Sequence, residues 1–368
     1  MNISTTKKEL QSAFSKLTKT TQVKSQNPLV NYTYISSGAH GVTLHSTDME
    51  VGIKTQITAS VNTNGEGLFP TSEVNDIISV IEEGRVDIDI AGPHINIKSE
   101  KGISFDIPTV PFQEYPEIPE NKHEALFTIE TNKLKNIISS LLYAINAEPT
   151  KPALNGAYFN FSQDKIDFVA TDGHRLVKIT RQNETNISQG YIIPKKYLNI
   201  LNTFLEGQKE TSLIFSEDHV FSNNGKDVFY SKIIDEKFPN YNAVIPESNP
   251  EELNAQKTEM LNNIKAASIA TNKNTNQISL NFSEGKVYFK SVNQPESKTV
   301  YAPIKSAEYK GEELAIGFNV LYLKEAVAKY PSEDIFFTFK DANSATLFLP
   351  KENDQKTIIL LMPVRINE

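Results

Sequence analysis

The sequence predicts an α+β protein built from three copies of one module, each with two helices and antiparallel sheets. Two observations carry that prediction: segments that recur at a fixed spacing, and strands whose apolar residues alternate. "VTLHSTDMEVGIKTQI" (42–57) and "IDFVATDGHRLVKITR" (166–181) are both alternating segments interrupted by Thr-Asp, and Asp48 and Asp172 lie 124 residues apart. "LFPTSEVNDIISVIEEG" (68–84) and "YIIPKKYLNILNTFLEG" (191–207) each show an apolar pair, a proline and a helix-period stretch ending in Glu-Gly, with Pro70 and Pro194 again 124 apart. "AIGFNVLYLKEAVAKYP" (315–331) supplies a third copy, placing Phe318 another 124 residues on. Recurrence at one phase along a whole chain marks repeated architecture.

Each module opens with a helix, expected over Lys7–Lys19, Thr131–Tyr143 and Thr258–Thr271. Leu10, Phe14 and Leu17, then Leu134, Ile137, Ile138 and Leu141, form the apolar stripes that such helices bury. The first two copies then reach Pro28 and Pro152, each 20 residues before the Thr-Asp turn. The second helix follows Pro70 and Pro194, with proline in the first turn, where its missing N–H leaves no bond unmade. Alternation in "RVDIDIAGPHINIKSEKGISFDI" (85–107) calls for antiparallel strands with one face buried. Boundaries fall in "EYPEIPENKHE" and "VIPESNPEEL", giving domains over 1–121, 122–247 and 248–368, each of ordinary size.

The 368 residues are 39% apolar, enough for several cores, and contain no cysteine, which removes disulfides and thiolate chemistry. The N-terminal stretch lacks the apolar segment of a secretion signal, and no run reaches membrane-spanning length. A cytoplasmic protein is the expectation. A net charge of −8 argues against a surface coated in basic charge, though a local basic face can coexist with distant acid beyond a screening length of about 10 Å.

"ATDGHRL" (170–176) concentrates the polar chemistry. Thr-Asp occurs in two modules, so it builds a turn: aspartate accepts from nearby backbone N–H groups and Gly173 permits positive φ. The second copy adds Gly-His-Arg-Leu where the first has Met49-Glu50-Val51. Three readings stand at this point: a solvated hairpin tip, a catalytic pair in which Asp172 orients His174, and the wall of a binding site. The catalytic reading lacks a nucleophile; the other histidines, at 40, 45, 94, 123 and 219, are scattered, and no metal-ligand spacing or phosphate-cradling loop is present.

"ATDGHRL", "KIIDEKFPNYNAVIP" (232–246), "IGFNV" (316–320) and the terminal "LLMPVRI" (360–366) together resemble the β subunit of bacterial DNA polymerase III, the sliding-clamp family, in family order over essentially the whole chain. The resemblance implies the DNA clamp fold and a ring. Two chains of three domains would pair head to tail around duplex DNA, with helices lining the hole, and would tether the polymerase without making or breaking bonds. It needs no cofactor and no base readout.

Carried over position by position, the resemblance places a peptide groove between domains two and three at Leu154, Thr171, Gly173, His174, Arg175, Leu176, Pro239, Val244, Thr346, Leu360, Met362, Pro363, Val364, Arg365 and Ile366. Polymerase III α subunit, clamp loader and repair polymerases would dock there through short segments. The aliphatic residues and adaptable Met362 would form its floor, and His174 and Arg175 would supply donors. DNA-facing cations are expected at Lys24, Lys133, Lys135, Lys195 and Lys196, among a wider set of Lys7, Lys8, Lys16, Lys19, Lys265, Lys324 and Lys329. The dimer contact maps to Phe105, Ile107 and Ile269. Departures from the family pattern are Pro152-Ala153 in place of a tyrosine-rich stretch, Ala243 at a basic groove position, and the Asn367-Glu368 extension. The rivals are an enzyme of phosphorylated or sugar substrates using Asp172, His174 and Arg175, and a repeat scaffold that never encircles DNA.

Overall fold

The computed structural model describes residues 1–21, 27–38, 41–119, 125–205, 207–283, 285–350 and 356–366. Three times over, the chain runs strand, helix, four strands, helix, three strands; the first and third copies add one short strand, Ser60–Thr63 and Glu308–Tyr309.

The opening helices are Lys7–Leu17, Thr131–Leu141 and Lys257–Ser268, and the second helices are Thr71–Val80, Lys195–Phe204 and Val320–Lys329. Local chemistry sets their starts. Thr6 caps the first helix by accepting from the Glu9 amide at 3.2 Å, and Asn319 caps the last by accepting from the Leu321 and Tyr322 amides. Leu10, Ala13, Phe14 and Leu17 are buried, as the 3.6-residue stripe requires. Pro70 and Pro194 differ from expectation: each ends the strand before its helix rather than entering the first turn. There proline's fixed φ suits extended backbone and its absent N–H stops the ladder. Pro28 and Pro152 open short 3₁₀ turns, Pro28–Asn31 and Pro152–Leu154.

The chain divides into two compact units, residues 1–134 with 196–233, and residues 135–195 with 234–368. The first unit holds an eight-stranded antiparallel sheet in which Val51–Ile57 of the first module pairs with Asp227–Lys232, the last strand of the second. Its other sheet has five strands and ends at Ser104–Pro108. The second unit holds a nine-stranded sheet in which Arg175–Gln182 of the second module pairs with Lys356–Leu361, the last strand of the third. Its other sheet has four strands and ends at Lys298–Pro303. Both seams are thus the same join: the third strand after the opening helix of one module meets the final strand of the next.

Candidate partner-binding groove

The polar motif forms the turn between Lys165–Thr171 and Arg175–Gln182. Thr171 Oγ1 donates to the Arg175 carbonyl at 2.7 Å and accepts from the Gly173 amide at 3.1 Å. Asp172 Oδ1 accepts from the amides of His174 and Arg175 at 2.9 and 3.0 Å. Gly173 holds φ at +91°, a left-handed conformation that glycine adopts without steric cost. The Met362 amide donates to the His174 carbonyl at 2.9 Å, so the C-terminal strand is stitched directly to this turn.

That stitch puts Leu176 opposite Leu360. Both belong to a buried apolar cluster with Val169, Ile192, Phe238, Tyr241, Ala345 and Leu347, against which Leu154 and Ile245 pack half-buried. Above this floor, Val244 is 53% exposed at the end of a 3₁₀ turn and Met362 is 38% exposed. Pro239 and Arg365 are exposed, and Pro363 and Val364 are half-buried. The Val364 amide donates to the Gly317 carbonyl at 2.8 Å. Ile366 lies elsewhere, lining a cleft with Gln277, Asn281 and Ala315. Thr346 is fully buried and gives its hydroxyl to the Leu361 carbonyl at 2.8 Å, so it holds the floor together instead of meeting a ligand.

Arg175 also departs from its expected role as a ligand donor. Its Nε donates to Asp172 Oδ2 at 2.9 Å and its Nη1 pairs with Glu325. The guanidinium lies 4.3 Å from the Tyr322 ring centroid and 5.1 Å from that of Tyr143, and the residue is 9% exposed. Burial works against its charge, but Glu325 and Asp172 outweigh that and hold its pKa above the usual value. Arg175 is therefore a strut between the turn and the helix Val320–Lys329. His174 is exposed, with its ring stacked 6.1 Å from Tyr322, and remains the polar group of the turn that a ligand can reach. Because both Asp172 oxygens are committed to the two amides and Arg175, Asp172 does not orient the His174 ring. Tyr143, Tyr322 and Glu325 escaped sequence reading, which sees only helix faces: their role depends on tertiary juxtaposition with Arg175.

Several expected DNA-facing lysines are occupied within the protein. Lys196 pairs with Asp48, whose side chain is 1% exposed, and burial lowers its pKa. Lys195 donates to the Ile145 carbonyl at 3.0 Å and is likewise lowered, by burial first and by the Arg175 charge second. Lys16 pairs with Asp227 at 2.5 Å, Lys19 donates to Thr203, Lys7 to the Ile81 carbonyl and Lys329 to Ser139. Lys133 pairs with Glu130 at 3.2 Å in an exposed contact that water screens well. Lys8, Lys265 and Lys324 are exposed. Together with half-buried Lys135 they have no ion-pair partner among the described residues; Lys24, Asn367 and Glu368 lie outside those residues. At the expected dimer contact, Phe105 is half-buried and Ile269 is 74% exposed, but Ile107 is 6% exposed and already packed into its own module.

No group of three or more histidines and carboxylates that could hold a metal occurs among the described residues. A triplicated α+β module with an apolar groove at one seam defines a binding protein of the clamp type. The comparisons give the family: the chain belongs to the DNA polymerase III beta subunits, matching that family's N-terminal domain over residues 1–119, its central domain over 128–240 and its C-terminal domain over 242–365. This is a family of non-catalytic processivity factors, and the chain is a sliding clamp of DNA polymerase III. It is 25% identical to the beta sliding clamp of Treponema pallidum over 327 residues, 87% of this chain and 88% of the relative. Identity to the Pseudomonas aeruginosa beta sliding clamp is 26% over 330 residues, 88% and 89% of the two chains. The crystal structure of DNA polymerase III subunit beta from P. aeruginosa superposes with a TM-score of 0.93 over all of both chains at 24% identity. A Bartonella birtlesii clamp solved bound to griselimycin gives 0.93 over all of both chains at 25% identity.

Proposed function

We propose that two copies of this chain pair head to tail into a closed ring that encircles duplex DNA, and that the groove docks short segments of polymerase III α subunit, clamp loader and repair polymerases, in the bacterial cytoplasm. The observation that carries the ring is the repeated seam. Val51–Ile57 and Arg175–Gln182 each pair with the last strand of the following module. The corresponding strand of the third module, Lys298–Pro303, and the last strand of the first, Ser104–Pro108, both stand at sheet edges. The same join made between chains would satisfy both of these edges and leave neither open for indiscriminate pairing. Phe105 and Ile269 would add apolar contact beside the new ladder. The three domains would divide near residues 121 and 247.

Enclosure needs little direct affinity, so Lys8, Lys135, Lys265 and Lys324, which have no ion-pair partner among the described residues, with weakly held Lys133, would suffice for sequence-independent contact with phosphates. The groove reading rests on the apolar floor of Leu176 and Leu360 beside exposed Met362, Val244 and His174. A few apolar anchors seated there would give about micromolar affinity, roughly −8 kcal/mol. The ring test is retention on nicked circular DNA. Release when the circle is linearised supports encirclement; equal retention on both forms would refute it.

A further inference from the structure

We propose that the outer face of the four-stranded sheet in the third module is a platform for single-stranded nucleic acid. The sheet runs Lys298–Pro303, Lys286–Asn293, Gln277–Ser283, Leu314–Asn319. Val287, Phe289 and Ser291 on one face are buried, so Lys286, Tyr288, Lys290 and Val292 point the other way. Register sets Tyr301 beside Lys290 and Pro303 beside Tyr288 on that outward face, and continues it through Ser279 and Asn281. The rings of Tyr288 and Tyr301 lie 4.3 Å apart, and Tyr301 is 52% exposed.

No outward side chain on these four strands is a carboxylate, although the chain carries 45 acidic residues and a net charge of −8. The outward face of the five-stranded sheet in the first module shows the contrast, with Asp87 and Asp89 on Arg85–Ala91 and Asp106 on Ser104–Pro108. Lys286 and Lys290 have no ion-pair partner among the described residues. They stand about 13 Å apart along one strand, within reach of successive phosphates of an extended chain. A cleft of 700 Å³ on the same side is lined by Gln277, Ser279, Asn281, Lys290 and Val292. Ser279 Oγ donates to the Lys290 carbonyl and accepts from the Asn281 side-chain amide, which leaves the Gln277 side-chain amide to meet sugar or base edges.

Aromatic rings on a sheet bind bases by stacking, which is available in a single strand and not in a duplex whose base faces are covered. An acidic polypeptide would satisfy the lysines but leave the tyrosine pair unused. Pairing along the Lys298–Pro303 edge would leave this face open, because side chains stand perpendicular to the hydrogen-bonding direction. The inference is therefore independent of ring closure.

Fluorescence anisotropy of a short labelled oligothymidylate, titrated with the full chain at low salt, tests it. Wild type should bind. Tyr288→Ala with Tyr301→Ala should weaken binding at least about tenfold, as expected from about 1–3 kcal/mol per stacked base. Lys286→Glu with Lys290→Glu should lower the slope of log affinity against log salt by about 1.4. Circular dichroism melts matching wild type confirm that the variants are folded. Absence of wild-type binding, binding unchanged in both folded variants, or displacement by polyglutamate as effective as by unlabelled oligothymidylate would each overturn the proposal.

Discussion

Residues 47–51 and 171–175 form the same turn in different modules, and comparing them separates scaffold from function. Thr47 donates to the Val51 carbonyl and accepts from the Met49 amide, as Thr171 does with Arg175 and Gly173. Asp48 accepts from the amides of Glu50 and Val51, as Asp172 does from His174 and Arg175. The Lys232 amide reaches the Glu50 carbonyl at 2.9 Å, just as the Met362 amide reaches that of His174. The hydrogen-bonded frame is therefore structural in both places, and the side chains it presents differ. At the first turn a cleft of 560 Å³ is lined by Met49, Asp218, His219, Tyr230 and Lys232, a charged and aromatic surface. At the second, Leu360 and Met362 occupy the positions of Tyr230 and Lys232, and the surface becomes an apolar groove. Even the second oxygen of each aspartate is spent differently: Asp48 holds Lys196, Asp172 holds Arg175.

Gly52 is the counterpart of Leu176, and exchanging residues between the two turns has its largest effect there. A Cβ at Gly52 would collide with the Tyr230 ring, which packs over the backbone and meets buried His45 Nε2 through its hydroxyl at 2.8 Å. Gly52→Leu should cost about 3 kcal/mol by overpacking, read as a fall in chemical-denaturation midpoint, and Gly52→Ala should cost less.

The same pocket predicts a pH dependence. Burial, aided by the Lys54 charge, lowers the His45 pKa to about 3, so the folded protein keeps this ring neutral. The unfolded chain takes up the proton near its ordinary value of about 6.5. This contribution to stability is present above about pH 6.5 and is lost as pH falls toward 3, at about 1.4 kcal/mol per pH unit. Thermal melts across that window should show a shallower slope for His45→Gln; an unchanged slope would assign the dependence to other groups.

Met362→Lys gives the groove the residue of the first cleft. The side chain is partly exposed, so stability should hold, while affinity for a fluorescent partner peptide should drop at least about tenfold from placing a cation on an apolar floor. Retained affinity would move the binding site away from this rim. The smallest effect is expected where the turns differ least. Met49 and Gly173 both hold positive φ, at 74° and 91°, and nothing lies within 4 Å of a Cβ placed on Gly173. Gly173→Ala should therefore cost only the left-handed penalty of about 1 kcal/mol, and Met49→Gly should recover a fraction of it, both visible as small shifts in melting temperature.

Much of this was legible in the sequence because it is local or repeated. The 124-residue spacing announced three modules, the apolar stripes announced the helices, and Thr-Asp announced the turn. What was not legible depends on which groups meet across the fold. Arg175 looks like a free donor until Tyr143, Tyr322 and Glu325 close around it. Thr346 and Ile107 look like contact residues until burial shows them facing their own core. Lys196 reads as an open cation because its partner, Asp48, lies 148 positions away. Sequence spacing identifies which side chains belong to a motif; it does not show which hydrogen bonds those side chains have already spent.

Ring closure requires two sheet edges, Ser104–Pro108 and Lys298–Pro303, to make between chains the join that the chain makes twice within itself. Light scattering in solution tests this most directly. The predicted particle has twice the 41.2 kDa mass of one chain, and falls to one chain when Phe105→Asp and Ile269→Asp are introduced together. A wild-type particle of a single chain's mass at micromolar concentration would contradict it.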